Sequence, residues 1–488
     1  MNFNVVLFLI GNLLMILGGC LIAPLLVAYY FHTRGGTNLN EVYAFASSAS
    51  ISFILGFALR YMFKHKDIEL KHREGFAVVS LSWVAMTMVG MLPYLFTGAT
   101  GTITNAFFET ISGFTTTGAS IFPQVEVIPP GLQFWRCMTQ WLGGMGIIVL
   151  SVALLPALGA GGYRMLKAEA PGGAVYERDK PRITDTAKEL WWLYILLSFF
   201  AFVFFRLAGM TTYDAICHAF TTLSTGGFSS HSESAAYFSG QIQWLMILFM
   251  FLAGINFTLH ARLIRFKFRS ALSNPELQLY TGLIIIVTIV SCIQINDYAK
   301  FETFESTLRA SLFQILSIVT TTGFATENFD LWPSLIRYIL LLLMFFGGCM
   351  GSTAGGMKMA RILIYVKSLL RELHRPIFPH AVRPLRVGKR VLENTIVTNV
   401  MAFGLVFMAA FVGGSLVMAA AGYDIITATS ASVAALGNIG PGLAQVGPNA
   451  NWAHLPDFAK WTMGFLMLLG RLELFSVLIL FTPWLWRR

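Results

Sequence analysis

The sequence predicts an all-α polytopic membrane protein: two N-terminal helices, then four helix–re-entrant pore loop–helix repeats in a pseudo-fourfold arrangement. Three observations predict it. Of 488 residues, 56% are hydrophobic and only 12% charged, with mean hydropathy +0.67, whereas a soluble domain carries about 25% charged residues. Ten segments reach the roughly 20 apolar residues that a spanning helix needs. A Thr/Gly signature occurs four times, as T-T-T-G at 115–118, S-T-G-G-F at 224–228, I-V-T-T-T-G-F-A-T at 318–326 and the diverged L-G-N-I-G at 436–440. Its glycines Gly118, Gly226, Gly323 and Gly437 stand 108, 97 and 114 residues apart, the spacing of four copies of one unit around a shared axis.

Taken in order, residues 1–70 hold two spans, 3–31 and 42–63, outside the repeats. Each repeat then reads as a long apolar helix, a half-length helix ending in the signature, and a second long helix. In repeat one (71–160) these are 76–96, 105–116 and 133–155. Residues 161–265 hold a basic loop and repeat two, with 190–207, 213–223 and 242–263. Repeat three (266–375) has 279–295, 308–319 and an interrupted inner helix at 335–365. Repeat four (376–488) has 395–421, 424–435 and 461–484.

The net charge of +10 is that of basic loops on one membrane face, so no nucleic-acid partner is expected. With the N-terminus cytoplasmic, 26 of 34 Lys and Arg residues fall in cytoplasmic loops and at the C-terminus, which also makes the C-terminus cytoplasmic. The half-length helices and their signatures then enter from outside and return there. Non-helical backbone at membrane depth is tolerated where protein buries it or it lines a watery cavity; four loops converging on one axis meet both conditions. The first Lys or Arg is Arg34, so the N-terminal apolar run reads as a membrane helix and not a signal peptide. Cys20, Cys137, Cys217, Cys292 and Cys349 lie in apolar stretches and read as small hydrophobes. No constellation suits an enzyme, and no organic cofactor is implied.

A dehydrated cation needs a cage of oxygens without a fixed countercharge, which backbone carbonyls supply. Glycine permits the positive φ that turns successive carbonyls to one side, and each half-length helix directs its partly negative C-terminus at the loop. The candidate filter residues are Thr116, Thr117, Gly118, Thr225, Gly226, Thr321, Thr322, Gly323, Phe324, Gly437 and Asn438, with potassium as the bound and transported ion. A single T-T-T-G reads equally as a helix-packing patch; four copies at matched places favour the filter.

These residues resemble those of the Trk/Ktr/HKT superfamily of potassium transporters along the whole chain. The two extra N-terminal helices, L-G-N-I-G-P-G at 436–442 and G-R-L-E at 470–473 are most similar to the TrkH branch. The resemblance implies a pseudo-fourfold pore with one filter glycine per repeat, potassium uptake across the bacterial cytoplasmic membrane, a homodimer, and a cytosolic nucleotide-binding regulatory subunit of the TrkA type. Glycine at all four assigned positions favours potassium over the sodium of members with Ser in the first repeat. The basic 358–390 segment suits either a docking site for the regulator or contact with anionic lipid.

Each second long helix carries small or polar residues at its middle. In repeat three, G-G-C-M-G-S-T-A-G-G-M-K at 347–358 cannot hold a regular helix cheaply, since each interior glycine costs about 1 kcal/mol. A break is expected there. By resemblance it is an intramembrane gate loop of Gly347, Gly348, Gly351, Ser352, Thr353, Gly355 and Gly356, with Lys358 and Arg471; the plainer alternative is a small-residue packing seam. G-x-x-x-x-G-M-K at 351–358 lacks the strand and the Lys-Ser/Thr of a P-loop. Arg471 can pair with Glu473 or with loop carbonyls, the resemblance favouring the carbonyls; Lys358 either snorkels or takes part in gating. Asp214 and Asp424 read as helix caps at matched places, Glu109 as the partner of an unnamed basic group, and His218 as a hydrogen-bonded side chain. A symporter coupling potassium to protons or sodium is the alternative mechanism, but four repeats of one orientation favour a channel-like subunit.

Overall fold

The computed structural model of the chain describes residues 2–35, 38–63, 72–154, 183–296, 303–378, 380, 384–388 and 390–486. The expected boundaries at 70/71 and 160/161, and most of the basic loop at 164–188, lie outside them. Six of the described helices are long and apolar enough to cross a membrane: Phe3–Thr33, Leu39–Met62, Arg73–Thr97, Ala187–Leu207, Pro275–Ile295 and Asn394–Ala420. Their outward faces suit lipid; Ile285, Ile286, Ile289 and Ile293 are exposed along one of them. Two of the six are interrupted where proline removes a backbone donor. The first breaks between Phe3–Cys20 and Ile22–Thr33, ahead of Pro24, and the third between His72–Gly90 and Leu92–Thr97, at Pro93.

The four inner helices differ more than their sequences suggest. Pro130–Leu154 runs unbroken through Gly143, Gly144 and Gly146. In repeat two, Gly240–Ala253 and Phe257–Ile264 meet at 102°, and in repeat four Asp457–Arg471 and Phe475–Phe481 meet at 113°, so the expected straight spans 242–263 and 461–484 are sharply bent. At the first bend Asn256 restarts the helix, its side chain accepting from the Thr258 N–H. At the second, Glu473 and Leu474 adopt φ of +59° and +53°. The break expected in repeat three is present: helix ends at Leu343 and resumes at Met359. A two-stranded antiparallel hairpin, Arg386–Val387 with Arg390–Val391, interrupts the otherwise helical fold in the basic segment.

The half-length helices are Ile103–Phe114, Thr212–Leu223, Phe304–Val319 and Ile425–Gly437. The first packs on its own inner helix and on that of repeat four; the second packs also on the inner helix of repeat one, and the third on that of repeat two. Three of the four seams between successive repeats are made this way. Apolar side chains form two large clusters, one drawn mainly from repeats two and three, the other from the N-terminal helices and repeats one and four. The N-terminal pair packs closely through small residues: a Cβ on Gly56 would stand 2.7 Å from the Gly11 carbonyl oxygen, and the Ser52 hydroxyl donates to the Leu14 carbonyl at 2.7 Å.

Candidate functional site

Each half-length helix ends in the same backbone device. Thr116, Thr225, Thr321 and Asn438 adopt φ between +52° and +57°, one or two residues beyond the last helical turn. The residue after each, Thr117, Gly226, Thr322 or Ile439, returns its N–H to a carbonyl of the helix, on Ser112, Thr221, Ser317 and Ala434 respectively, at 2.8–2.9 Å. A glycine at positive φ follows: Gly118, Gly227, Gly323 and Gly440, at +81°, +79°, +83° and +95°. A Cβ added to each would stand 2.2 Å from the Gly226 carbonyl oxygen, 2.0 Å from that of Thr322, 2.0 Å from that of Ile439 and 2.6 Å from that of Thr117, in that order. Each glycine therefore admits the backbone of the next loop, and the fourth closes on the first.

This ring corrects the register assigned from sequence. Gly118 and Gly323 keep their places. In repeat two the equivalent glycine is Gly227, and in repeat four it is Gly440, because Gly437 is the last residue of its helix. Gly226 and Gly437 instead lie within the ring and at its helical base. Phe324 is fully buried, and its carbonyl accepts from the Ser317 hydroxyl at 2.6 Å, which ties it to its own helix.

Side chains behind the loops hold them. In repeats one and three the hydroxyls pair alike, Thr115 with Thr117 at 2.8 Å and Thr320 with Thr322 at 2.7 Å. The Gln140 amide donates to the Gly226 carbonyl at 2.7 Å and accepts from the Phe228 N–H at 3.0 Å. Asn438 donates to the Thr117 hydroxyl at 3.0 Å and to the Met467 carbonyl at 2.8 Å, joining repeats four and one. The group unnamed for Glu109 is Arg136, at 2.8 Å and fully buried with it; the Arg136 guanidinium also lies over the Phe228 ring, 4.2 Å from its centre. Removing one partner of a buried pair costs about 3–5 kcal/mol. Arg136→Met should therefore lower thermal stability in detergent sharply, and Glu109→Gln combined with it should recover part of the loss.

Of the two aspartates, Asp424 caps its helix, accepting from the Ile426 and Thr427 N–H groups. The Thr427 hydroxyl, with those N–H groups, holds the carboxyl below the usual carboxylate range. Asp214 sits three residues into its helix, and Thr211 is the cap, so the two are not equivalent. His218 is buried, with Nδ1 paired to the Asp214 carbonyl at 2.8 Å and Nε2 to the Ser229 hydroxyl at 3.1 Å.

The 344–358 segment folds back on itself beside the ring. A parallel bridge joins Phe346 to Met357, and the Gly347 N–H donates to the Met357 carbonyl at 2.8 Å. Gly347 faces the Gly355 carbonyl, which a Cβ would approach to 2.0 Å. Gly348 packs on the Gly254 carbonyl, and Gly351 and Gly356 take positive φ. The Ser352 hydroxyl donates to the Cys349 carbonyl at 2.6 Å. The Thr353 hydroxyl donates to the Leu223 carbonyl at 3.0 Å. The Gly355 N–H donates to the Thr321 hydroxyl at 2.6 Å, so this segment touches the ring directly. Arg471, 2% exposed, donates to the Thr353 carbonyl at 2.7 Å and to the Gly143 carbonyl at 3.3 Å. Glu473 pairs with Arg361 at 2.5 Å and not with Arg471. Lys358 does not snorkel; it is buried and its ammonium donates to the Ala354 carbonyl.

The family model for TrkH, described as a cation transport protein, matches residues 42–487. This chain belongs to the TrkH family. The Trk system potassium uptake protein TrkH of Salmonella typhimurium is 38% identical over 490 residues, covering 100% of both chains. TrkG of Escherichia coli, another Trk system potassium uptake protein, is 33% identical over 99% of both. The crystal structure of the potassium transporter TrkH from Vibrio parahaemolyticus superposes with a TM-score of 0.91 at 36% identity, over 100% of both chains. TrkH is thus a family of transport proteins, not of enzymes. Within this TrkH-family fold, Gln140, Arg136 and Glu276 were not legible as site residues. A polar side chain inside an apolar span is the signal that marks the first two; Glu276, in the helix-start pattern N-P-E, reads as an ordinary first-turn acid.

Proposed function

We propose that the chain is the pore-forming subunit of a bacterial potassium uptake system and that potassium crosses, largely dehydrated, through the ring of four loops. The cyclic contact of Gly118, Gly227, Gly323 and Gly440 with the carbonyls of the next loop carries the reading, because it gathers four carbonyl-bearing segments at one axis with no cation side chain among them. The names of the relatives support potassium as the ion. The filter comprises Thr116, Thr117 and Gly118; Thr225, Gly226 and Gly227; Thr321, Thr322 and Gly323; and Asn438, Ile439 and Gly440. The C-terminal ends of four half-length helices add a partly negative field that favours a cation.

The 347–356 segment is the gate, and Arg471 and Lys358 hold it closed by donating to its carbonyls. Both termini face the cytoplasm and the filter opens outward. A cytosolic nucleotide-binding subunit of the TrkA type regulates a homodimer of this chain, docking near the basic segment that follows 358, which also meets anionic lipid. Repeats of one orientation around one axis support conduction through a pore. In proteoliposomes holding the purified chain, uptake of radioactive rubidium should be competed by potassium and not by sodium. Equal competition by both ions would reject potassium selectivity.

A further inference from the structure

We infer that Glu276 is a positioning residue that keeps the 347–358 segment closed by fastening both of its ends to a single carboxylate oxygen; this rests on the reading of that segment as a gate. Oε1 of Glu276 accepts from the Met350 N–H at 2.6 Å and from the Ala360 N–H at 3.0 Å. Met350 lies near the start of the segment, and Ala360 lies just past its end, in the first turn of Met359–His374. Glu276 itself is buried, at 6% exposure, in the first turn of Pro275–Asn296. Asn274 accepts from its N–H at 2.8 Å and fixes that turn.

Two features make this a clamp and not a bystander. A single oxygen takes both N–H groups, at 2.6 and 3.0 Å, and Glu276 is itself held in a turn fixed by Asn274. The two donors are ten residues apart on a chain that turns back on itself at Gly351 and Gly356, both at positive φ. Any swing of the segment away from Arg471 carries Met350 with it, while Ala360 stays in its helix. The carboxylate cannot follow both. Arg471, from repeat four, grips the middle of the segment at Thr353, and Glu276, from the first helix of repeat three, holds it at Met350 and just past its end at Ala360.

Cys349 reports on this clamp, because it adjoins Met350 and is fully buried. The test uses the full chain with Cys349 as sole cysteine (Cys20→Ala, Cys137→Ala, Cys217→Ala, Cys292→Ala) and a small cationic methanethiosulfonate. Glu276→Leu should speed modification of Cys349 at least tenfold and raise rubidium flux several-fold, with the preference for rubidium over sodium unchanged. Glu276→Gln keeps an acceptor oxygen in the same place and should fall between, at about threefold. Unchanged modification in a Glu276→Leu protein that elutes as a single species overturns the inference; if that variant does not fold, unchanged modification in Glu276→Gln does so. Arg471→Ala, measured alongside, separates the two readings. Faster modification in Arg471→Ala alone rejects the role of Glu276, and no acceleration in either rejects the gate as well.

Discussion

Gly323→Ser should abolish discrimination between potassium and sodium. Gly323 has φ +83°, and a Cβ there would lie 2.0 Å from the Ile439 carbonyl oxygen and 3.0 Å from Pro441. A side chain in the left-handed region costs about 1–2 kcal/mol before any clash. The neighbour at 2.0 Å is backbone, so it cannot rotate away. The loop of repeat four must retreat, and its carbonyls leave the ring. Gly440→Ser should act the same way, since its φ is +95° and the Thr117 carbonyl would lie at 2.6 Å. Gly437→Ala should be milder, because that residue is helical and its nearest contact, the Met344 carbonyl, is at 2.9 Å. The ratio of sodium to rubidium uptake measures all three. A larger effect from Gly437→Ala than from Gly440→Ser would restore the register that the sequence alone suggests.

Arg471→Ala should raise potassium flux. The guanidinium is buried and donates to the Thr353 carbonyl of the 347–356 segment, the proposed gate, and to the Gly143 carbonyl of the repeat-one inner helix. A hydrogen bond to a charged group contributes about 1.5–3 kcal/mol, so losing the Thr353 contact shifts a closed–open equilibrium by roughly ten- to a hundredfold. Removing the cation also lifts an electrostatic barrier to a passing potassium ion. Initial rates of rubidium uptake at equal protein density are the measurement. Deleting part of 351–355 should act in the same direction, since it shortens the proposed gate. A lower or unchanged rate in a stable Arg471→Ala protein contradicts this role.

The repeats were legible because threonine and glycine are rare company in an apolar chain and recur at one interval. The break in repeat three was legible for a similar reason: five glycines between 347 and 356 leave little to hold a helix. What composition could not give was register. Gly226 and Gly227 are adjacent, and either can accept positive φ; only the approach of the Thr322 carbonyl to Gly227 selects one. In repeat four, Asn438 was the available clue, since asparagine tolerates the left-handed region that ends a helix, which places the ring glycine two residues later. The 102° and 113° bends were hidden because a glycine in a span reads equally as packing. Gly143 does pack, with the Phe114 carbonyl against it in an unbroken helix, and Gly470 meets the Leu436 carbonyl just where its helix ends.

The most direct test of a selective pore is the reversal potential of the purified chain in a planar bilayer, with potassium, sodium and proton gradients imposed one at a time. The account predicts a reversal potential that follows the potassium gradient and stays fixed when sodium or proton gradients change. A reversal potential that moves with the sodium or proton gradient would contradict it and point to coupled transport.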